Sequence, residues 1–222
     1  MTPGRFDGGS CAGEQGRRAA APLVLVLVFA ALAWANTVGK NSCVGQDACT
    51  GNTGAVGNGS CNGIEACFNS TGNVKNNSCN GDIFVCAGNT GAVGNGSCNG
   101  DIACDFNQGA VGNGSCLGDF ACIVNSGATI GNNSCIGFDA CFVNRGVTIG
   151  NGSCLGKEAC RENQGAVGNG SCLGDFACDS NQGAVGSGSC LGVAACLNNS
   201  GNIGPGQCIG DHVCENNTAN KP

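Results

Sequence analysis

The sequence predicts an all-β fold, a parallel β-solenoid of ten short coils stabilised by disulfide bonds. Three observations lead to this prediction: a tandem repeat of 18 or 19 residues, 42 glycines in a chain of 222 residues, and 21 cysteines against 9 phenylalanines, 1 tryptophan and no tyrosine. So few large apolar residues cannot fill an ordinary globular core. Stability therefore has to come from stacking and from covalent bonds.

The repeat extends from Val38 to Asn220 and follows the pattern V/I-G-N-x-S-C-x-G-x-x-A-C-x-x-N-x-G-x. A unit this short buries a core only by stacking on its neighbours, which indicates a solenoid domain over residues 36–222. Seven copies have 18 residues and three have 19. The copies begin at Val38, Val56, Val74, Val93, Val111, Ile130, Ile149, Val167, Val185 and Ile203.

Glycine excludes helix as the repeated element. Each copy contains several glycines, and each would cost a helix about 1 kcal/mol relative to alanine, whereas Asn-Gly pairs favour turns. Short strands joined by tight corners remain, one coil per copy. At a strand spacing of about 4.8 Å, ten coils would form a rod roughly 45 to 50 Å long.

Residues 1–35 have the features of a secretory signal peptide. The apolar segment Ala19–Ala35 follows Arg17 and Arg18 and ends in Ala-Trp-Ala, so we predict cleavage before Asn36. A signal anchor is the alternative, although 17 apolar residues are few for a bilayer, which needs about 20. A secreted, extracellular protein is the expectation.

The cysteines predict a disulfide framework. Loss of residues 1–35 removes Cys11 and leaves 20 cysteines, an even number. Metal sites need close C-x-x-C pairs or several histidines, and the sequence has neither, since His212 is its one histidine. The predicted disulfide cysteines are Cys43, Cys49, Cys61, Cys67, Cys79, Cys86, Cys98, Cys104, Cys116, Cys122, Cys135, Cys141, Cys154, Cys160, Cys172, Cys178, Cys190, Cys196, Cys208 and Cys214.

The charge balance is sparse and acidic. Charged residues make up 11% of the chain, and the formal net charge is −6. Removal of residues 1–35 leaves six basic and thirteen acidic residues, a net of −7. Such a chain does not attract the phosphate backbone of nucleic acid, so we expect no nucleic-acid partner, and no motif indicates a cofactor.

A sixfold subpattern divides each copy into three sides. In the eighth copy it gives Ser171–Gly174, Ala177–Ser180 and Gly183–Gly186, in each of which a small residue comes first. The pattern resembles the hexapeptide-repeat family of left-handed parallel β-helices, on two of the three sides. Enzymes of that family use several projecting histidines, so the resemblance implies a fold and no enzyme activity here. The aliphatic position of the third side is occupied by Thr50, Phe68, Ala87, Asp105, Ile123, Phe142, Arg161, Asp179, Leu197 and Glu215.

The Cys-x5-Cys spacing is similar to that of the disulfide-rich β-helical antifreeze proteins of beetles. Two connectivities are open: bridges within each copy, or bridges between identical positions of successive copies, which would stack about 4.8 Å apart. We favour bridges within copies because a glycine follows the first cysteine by two residues in every copy, from Gly45 to Gly210, and can form the bend.

Two polar columns have a structural interpretation. Asparagine occupies the fifteenth position of nine copies, which predicts an internal amide ladder at a corner, and serine occupies the fifth position, where small residues fit a tight coil. The asparagines are Asn52, Asn89, Asn107, Asn125, Asn144, Asn163, Asn181, Asn199 and Asn217, with Ser70 in the second copy. The serines are Ser42, Ser60, Ser78, Ser97, Ser115, Ser134, Ser153, Ser171 and Ser189.

Two surface features are candidate sites. The candidate glycosylation residues, which lie in Asn-x-Ser/Thr sequons, are Asn58, Asn69, Asn95, Asn113, Asn151, Asn169, Asn198 and Asn216, and Asn76 and Asn132 also begin such sequons. The aspartates Asp82, Asp101 and Asp119 fall in consecutive copies and are candidate calcium ligands, although solvated carboxylates are the simpler interpretation.

These features together predict a non-enzymatic, secreted structural or surface-interaction protein, an acidic rod in a cell coat or extracellular matrix. The alternatives are an ice-binding protein and a carbohydrate- or calcium-binding adhesin. Expected partners are polysaccharide, mineral, ice or protein, and the open end coils favour end-to-end self-association. A contact patch is predicted at Phe68, Phe106, Phe120, Phe138, Phe142 and Phe176.

Overall fold

The computed structural model describes residues 37–127, 129–145 and 147–222, and the compact unit Ala35–Pro222 contains the whole repeat. The described residues form an all-β tandem repeat. Strands β1 (Asn62–Ile64) and β2 (Asn80–Ile83) pair in parallel, and isolated parallel bridges join the other copies. The predicted signal peptide lies outside the described residues.

Helix of the length and apolar character that a membrane span requires is absent from the part of the chain that the structure describes.

Two lines of parallel bridges join successive copies in register. One line follows the first position of the repeat, from Val38 and Val56 to Ile203 and Lys221. The other follows the seventh position, from Asn99 and Leu117 to Ile209. The aliphatic side chains of the first line are buried from the second copy onward and, with alanines and cysteines, form the core. Each copy is therefore paired with the next, as a stacked repeat requires.

Ten disulfide bonds occupy this core. Each joins the two cysteines of one copy, with Cα atoms 5.5 to 5.7 Å apart. The predicted disulfide bonds are confirmed, and the connectivity is the within-copy one. The pair Cys79–Cys86 encloses one additional residue, and the register between β1 and β2 shifts at this point. The cysteines from Cys61 to Cys196 have no exposed surface.

Backbone hydrogen bonds run mainly between copies. In the second copy, the amide of Cys61 donates to the carbonyl of Ser78 in the following copy at 3.0 Å. The amide of Gly63 donates in the opposite direction, to Val44 of the preceding copy at 2.8 Å. A copy in isolation would leave these groups unpaired, which costs free energy wherever they are buried. Stacking therefore provides hydrogen-bond partners for backbone groups that the short strands alone would leave unpaired.

Two buried side-chain ladders complete the pairing. The amide of Asn181 donates to Oδ1 of Asn163 at 2.8 Å and to the carbonyl of Gly183 at 2.6 Å. Equivalent bonds between asparagines continue from Asn89 to Asn217. The serines form the second ladder, in which side chains bond to backbone. Oγ of each serine donates to a backbone carbonyl of the next copy and accepts the backbone amide of the equivalent residue in that copy. The sequence predicted an amide ladder, and the structure contains it.

The backbone between these ladders alternates in the sign of φ. In the second copy, φ is positive at Gly59, Cys61, Gly63, Glu65 and Cys67, that is, at every second residue. A non-glycine residue with positive φ costs on the order of 1 to 2 kcal/mol, and both cysteines of every copy adopt it. The hydrogen bonds between copies hold this strained backbone in place.

Glycine is required at one of these positions and is replaceable at another. Gly174 has φ +133°, and a Cβ atom there would lie 2.5 Å from the carbonyl oxygen of Gly192 in the next copy. Gly170 has φ +63°, and a Cβ atom there would meet no atom within 4 Å. Asn77 and Asn133 occupy the column of Gly170 with φ of 54° and 52°.

We expect Gly174→Ala to destabilise the protein by about 3 kcal/mol or more, since both the backbone angle and the contact with the next copy oppose a side chain. Gly170→Asn is the matched control and should change the free energy of unfolding by less than about 0.5 kcal/mol. Guanidinium unfolding without reductant, followed by circular dichroism, measures both. Equal effects of the two substitutions would contradict the close stacking of copies.

The end disulfides should be reduced before the interior ones. Cys43, Cys49 and Cys214 are partly exposed, and Cys208 is 6% exposed, whereas Cys61 to Cys196 are fully covered. Because exchange needs a thiolate to reach a sulfur atom, limiting dithiothreitol should open Cys43–Cys49 and Cys208–Cys214 first. Differential alkylation with peptide mapping follows the order. In concentrated guanidinium the preference should disappear, and interior pairs that react equally fast in native buffer would refute it.

Candidate functional site

One surface of the repeat carries most of its sequence variation. We call it the variable face and define it as positions 9, 10, 13 and 14 of each copy, which in the second copy are Ile64, Glu65, Phe68 and Asn69. In the second copy these four side chains are exposed or half-buried, whereas the pair between them, Ala66 and Cys67, is fully buried. The variable face is therefore the surface on which one copy differs from another without altering the core.

Alternating φ values create this division. Turn bonds join Phe68 N–H to the carbonyl of Glu65 at 3.1 Å and Ser70 N–H to that of Cys67 at 3.3 Å, and they turn the chain around the buried cysteine. The amides at position 10 donate to the preceding copy, as in Phe84 N–H to Ile64 at 2.9 Å. Each variable side chain is thus attached to a backbone that neighbouring copies hold on both sides.

Copies two to four form a cleft of about 390 Å³ on this face. Its lining includes three phenylalanines and two carboxylates. The lining residues are Glu65, Phe68, Asn69, Phe84, Ala87, Gly88, Asp105 and Phe106. The ring of Phe106 covers Gly88, where a Cβ atom would lie 2.8 Å from the ring, so the absence of a side chain at Gly88 lets the ring rest close to the backbone.

Asp105 is the most perturbed group on the face. It stands in a column whose neighbours in the adjacent copies, Ala87 and Ile123, are 7% and 8% exposed. Burial raises the pKa of the Asp105 carboxyl from 3.8 to about 6, and a hydrogen bond from the backbone of Phe106 opposes this. Oδ1 of Asp105 is buried and has no hydrogen-bond partner in the described part of the chain. The ionised carboxylate at this position is partly desolvated, and few hydrogen bonds compensate for the lost hydration.

Copies seven and eight carry a charged cluster on the same face. Arg161 donates to Glu158 at 2.9 Å, which raises the pKa of the guanidinium, and Lys157 lies 3.5 Å from the other oxygen of Glu158. The ammonium of Lys157 also lies 5.4 Å from the ring centre of Phe176. Burial raises the pKa of Asp179 in this cluster, and nearby Arg161 opposes that shift. Here the chain supplies its own cations for the ring and the carboxylates.

Two of the three aspartates predicted as candidate calcium ligands, Asp101 and Asp119, serve as hydrogen-bond acceptors. Oδ1 of Asp101 accepts the backbone amide of Asp82 at 2.6 Å, and Oδ1 of Asp119 accepts that of Asp101 at 3.0 Å. Within the described ranges, the groups of three or more candidate ligand atoms within 4.8 Å of one another consist of cysteine sulfurs, so the three aspartates do not form such a group. These sulfurs belong to disulfides, which leaves no thiolate for a metal.

All ten sequon asparagines are exposed. Seven of them share the third position of the repeat, where Oδ1 of each accepts the backbone amide of the preceding copy, as Asn113 does from Asn95 at 2.8 Å. The seven are Asn58, Asn76, Asn95, Asn113, Asn132, Asn151 and Asn169. The other three, Asn69, Asn198 and Asn216, lie at position 14 of the variable face.

The predicted phenylalanine patch is only partly exposed. Phe106 and Phe138 are 59% and 45% exposed, whereas the other four are half-buried, and Phe120 and Phe138 contact each other edge to face with centres 5.5 Å apart. Phe84 was missed because the additional residue between Cys79 and Cys86 disturbs counting from the first cysteine. Counting back from the second cysteine places Phe84 in the column of Glu65, which is the signal that could have found it.

His212 lies exposed in the last copy, with Nδ1 2.9 Å from Oε2 of Glu215. The serines of the fifth position are buried from Ser60 to Ser189, and their hydroxyls bond to backbone carbonyls, as Ser171 does to Gly186 at 2.8 Å. The site with distinctive chemistry among the described residues is therefore the variable face, with its phenylalanines and carboxylates.

Asp105 should make stability depend on pH. Since its folded pKa of about 6 exceeds the ordinary 3.8, the folded state binds the proton more tightly, and this stabilisation is lost as the pH rises through about 6. We expect Asp105→Asn to stabilise the protein by about 1 kcal/mol at about pH 8, after discounting for the exposed part of the group, and to have little effect below about pH 4. Unfolding midpoints without reductant measure this.

The exposed Asp82→Asn is the control for that measurement and should show no such pH-dependent gain. A gain for Asp105→Asn that is the same at both pH values would mean that burial of the charge is not its cause.

Comparisons with known proteins identify a family. The family model described as Domain of unknown function (DUF7640) matches residues 1–103, 86–192 and 163–221. No curated protein and no solved structure matches the chain significantly, so the resemblances to hexapeptide-repeat and beetle antifreeze proteins stay predictions. The matched segments together span almost the whole sequence and include all ten copies. The chain, a tandem-repeat protein rich in disulfides, therefore belongs to the DUF7640 family.

Proposed function

We propose that this chain is a non-enzymatic, secreted structural or surface-interaction protein, whose ten copies close into a rod-like solenoid. The observation that carries the proposal is the separation between a fixed frame and a variable surface. Disulfides and buried ladders repeat in every copy, whereas positions 9, 10, 13 and 14 change freely. A rigid frame with a changeable face suits the presentation of surface groups along an axis.

The disulfides support the extracellular part of the proposal. Ten bonds within one chain require an oxidising environment, which secreted and cell-surface proteins occupy. The predicted signal peptide would bring the chain there. Glycosylation would be compatible with the fold at the third position. A sugar attaches to Nδ2 of asparagine, whereas the hydrogen bonds between third-position residues use Oδ1, as in Asn113.

Two measurements test this function. Small-angle scattering of residues 36–222 purified from the secreting cell should give a rod roughly 45 to 50 Å long, as expected from ten coils at strand spacing. An antibody against the repeat should label the cell coat, the matrix or the medium. Protein retained inside the cell with free thiols, or a compact scattering profile, would contradict the proposal.

Ice binding is the second candidate, and one observation favours it. The seven third-position asparagines form an exposed column in which each side chain is held by a hydrogen bond from the preceding copy, as Asn113 is by Asn95. Amides at strand spacing on a rigid frame would order water at the surface. Freezing-point hysteresis at high protein concentration tests the idea.

If the column binds ice, Asn113→Ser should reduce the hysteresis without loss of stability, because Ser187 occupies the same column naturally. Absence of hysteresis and of ice shaping in the unsubstituted protein would exclude this candidate and leave the structural role untouched.

A further inference from the structure

The cleft of copies two to four combines aromatic rings with carboxylates in its lining. Phe68, Phe84 and Phe106 line it, and Glu65 and Asp105 stand beside them. Its volume of about 390 Å³ suits a small organic group and is too small for a folded partner. Because copies on both sides hydrogen-bond the backbone that carries these residues, the cleft is formed before any ligand arrives.

The negative charge of this cleft is not balanced from within. Among the described residues, no lysine, arginine or histidine forms an ion pair with Glu65 or Asp105. Asp105 in addition has a buried oxygen without a hydrogen-bond partner in that part of the chain. Two carboxylates beside an apolar cavity create a negative potential there, which a cation would relieve.

The same face shows what a cation does in this setting. In copies seven and eight, Lys157 places its ammonium over the ring of Phe176 while it lies 3.5 Å from Glu158. Phe84 occupies the repeat position of Phe176, and Glu65 occupies that of Glu158. The positions of Lys157 and Arg161 are filled in the second copy by Ile64 and Phe68, so the ring and the carboxylate are kept and the cations are replaced by apolar side chains.

We propose that the cleft formed by Glu65, Phe68, Phe84, Asp105 and Phe106 binds a small organic ammonium ion. Phenyl rings attract weakly hydrated cations through their negative faces, and the carboxylates add charge complementarity. A calcium ion is a poorer occupant, because it takes six to eight oxygen ligands and most of this surface is hydrocarbon. A neutral apolar ligand would leave the two carboxylates uncompensated beside it.

Titration of the oxidised protein with choline, followed by NMR shifts of the phenylalanine rings, tests the proposal. The matched probe is 3,3-dimethylbutan-1-ol, which has the shape of choline without its charge. Choline should bind saturably and the alcohol at least about fivefold more weakly, in keeping with the strength of cation–π contacts. Equal binding of the two, or no saturable binding of choline, would overturn the proposal.

Substitutions that the repeat already contains keep the test independent of folding. Phe106→Asn introduces a residue found at the same position in Asn69 and Asn198, and Phe84→Ala reproduces Ala194. Each should weaken choline binding about fivefold or more, with unchanged circular dichroism. Val124→Ser, at the position of Phe106 in the next copy and outside the lining of the cleft, is the control, since Ser180 occupies this position in the eighth copy. Unchanged affinity in both cleft variants would refute the assignment.

A second arm separates the sources of the ammonium group. A short peptide with trimethyllysine should bind more tightly than choline if the natural ligand belongs to a polypeptide, and no more tightly if it is a free solute. Either result supports an ammonium site, and failure of both probes rejects it. The site does not depend on the proposed structural role, since binding is measured on the isolated chain and localisation on the cell.

Discussion

Hydrogen bonding between one copy and the next is the constraint on which the rest of this structure depends. Successive copies approach closely enough for the amide of Cys61 to reach Ser78 and for that of Gly63 to reach Val44. This approach leaves no room for a side chain at Gly174, and it forces the asparagines and serines inward, where they bond to their equivalents. The disulfides fill the remaining interior, so polar ladders and sulfur replace the large apolar residues that the sequence lacks.

The elements that depend on the period were predictable from the sequence. An 18-residue repeat implies that equal positions lie above one another, so the amide column from Asn89 to Asn217 follows from the spacing alone. Disulfide connectivity needed one further argument, the bend at the glycine after the first cysteine. Within the described residues, regular strand structure is limited to β1 and β2, because turns and αL residues such as Cys61 take up much of each copy.

The candidate site was predictable only in part, for physical reasons. Whether Asp105 loses water depends on Ala87 and Ile123, which are distant in sequence and become neighbours through the stack. The cleft also depends on Gly88, whose lack of a side chain lets Phe106 lie against the backbone. The sequence around Gly88 contains no motif that would predict this contact. The exposure of the phenylalanines varies for the same reason, because the side chains at equivalent positions of the adjacent copies determine how much of each ring is covered.

The third-position column has a consequence for the chemical lifetime of the chain. Several of its asparagines precede glycine, the sequence most prone to deamidation, in which the glycine nitrogen attacks the asparagine side chain to form a succinimide. Here that nitrogen is engaged: Gly114 N–H donates to Asn95 at 2.9 Å and Gly170 N–H to Asn151 at 2.9 Å. The side-chain oxygens of the two asparagines are engaged as well, since Oδ1 of Asn113 accepts the amide of Asn95 and Oδ1 of Asn169 that of Asn151, both at 2.8 Å. The stack thus keeps both reacting groups in hydrogen bonds to neighbouring copies, and Asn-Gly pairs that would deamidate quickly in a loose loop are protected while the copies remain together.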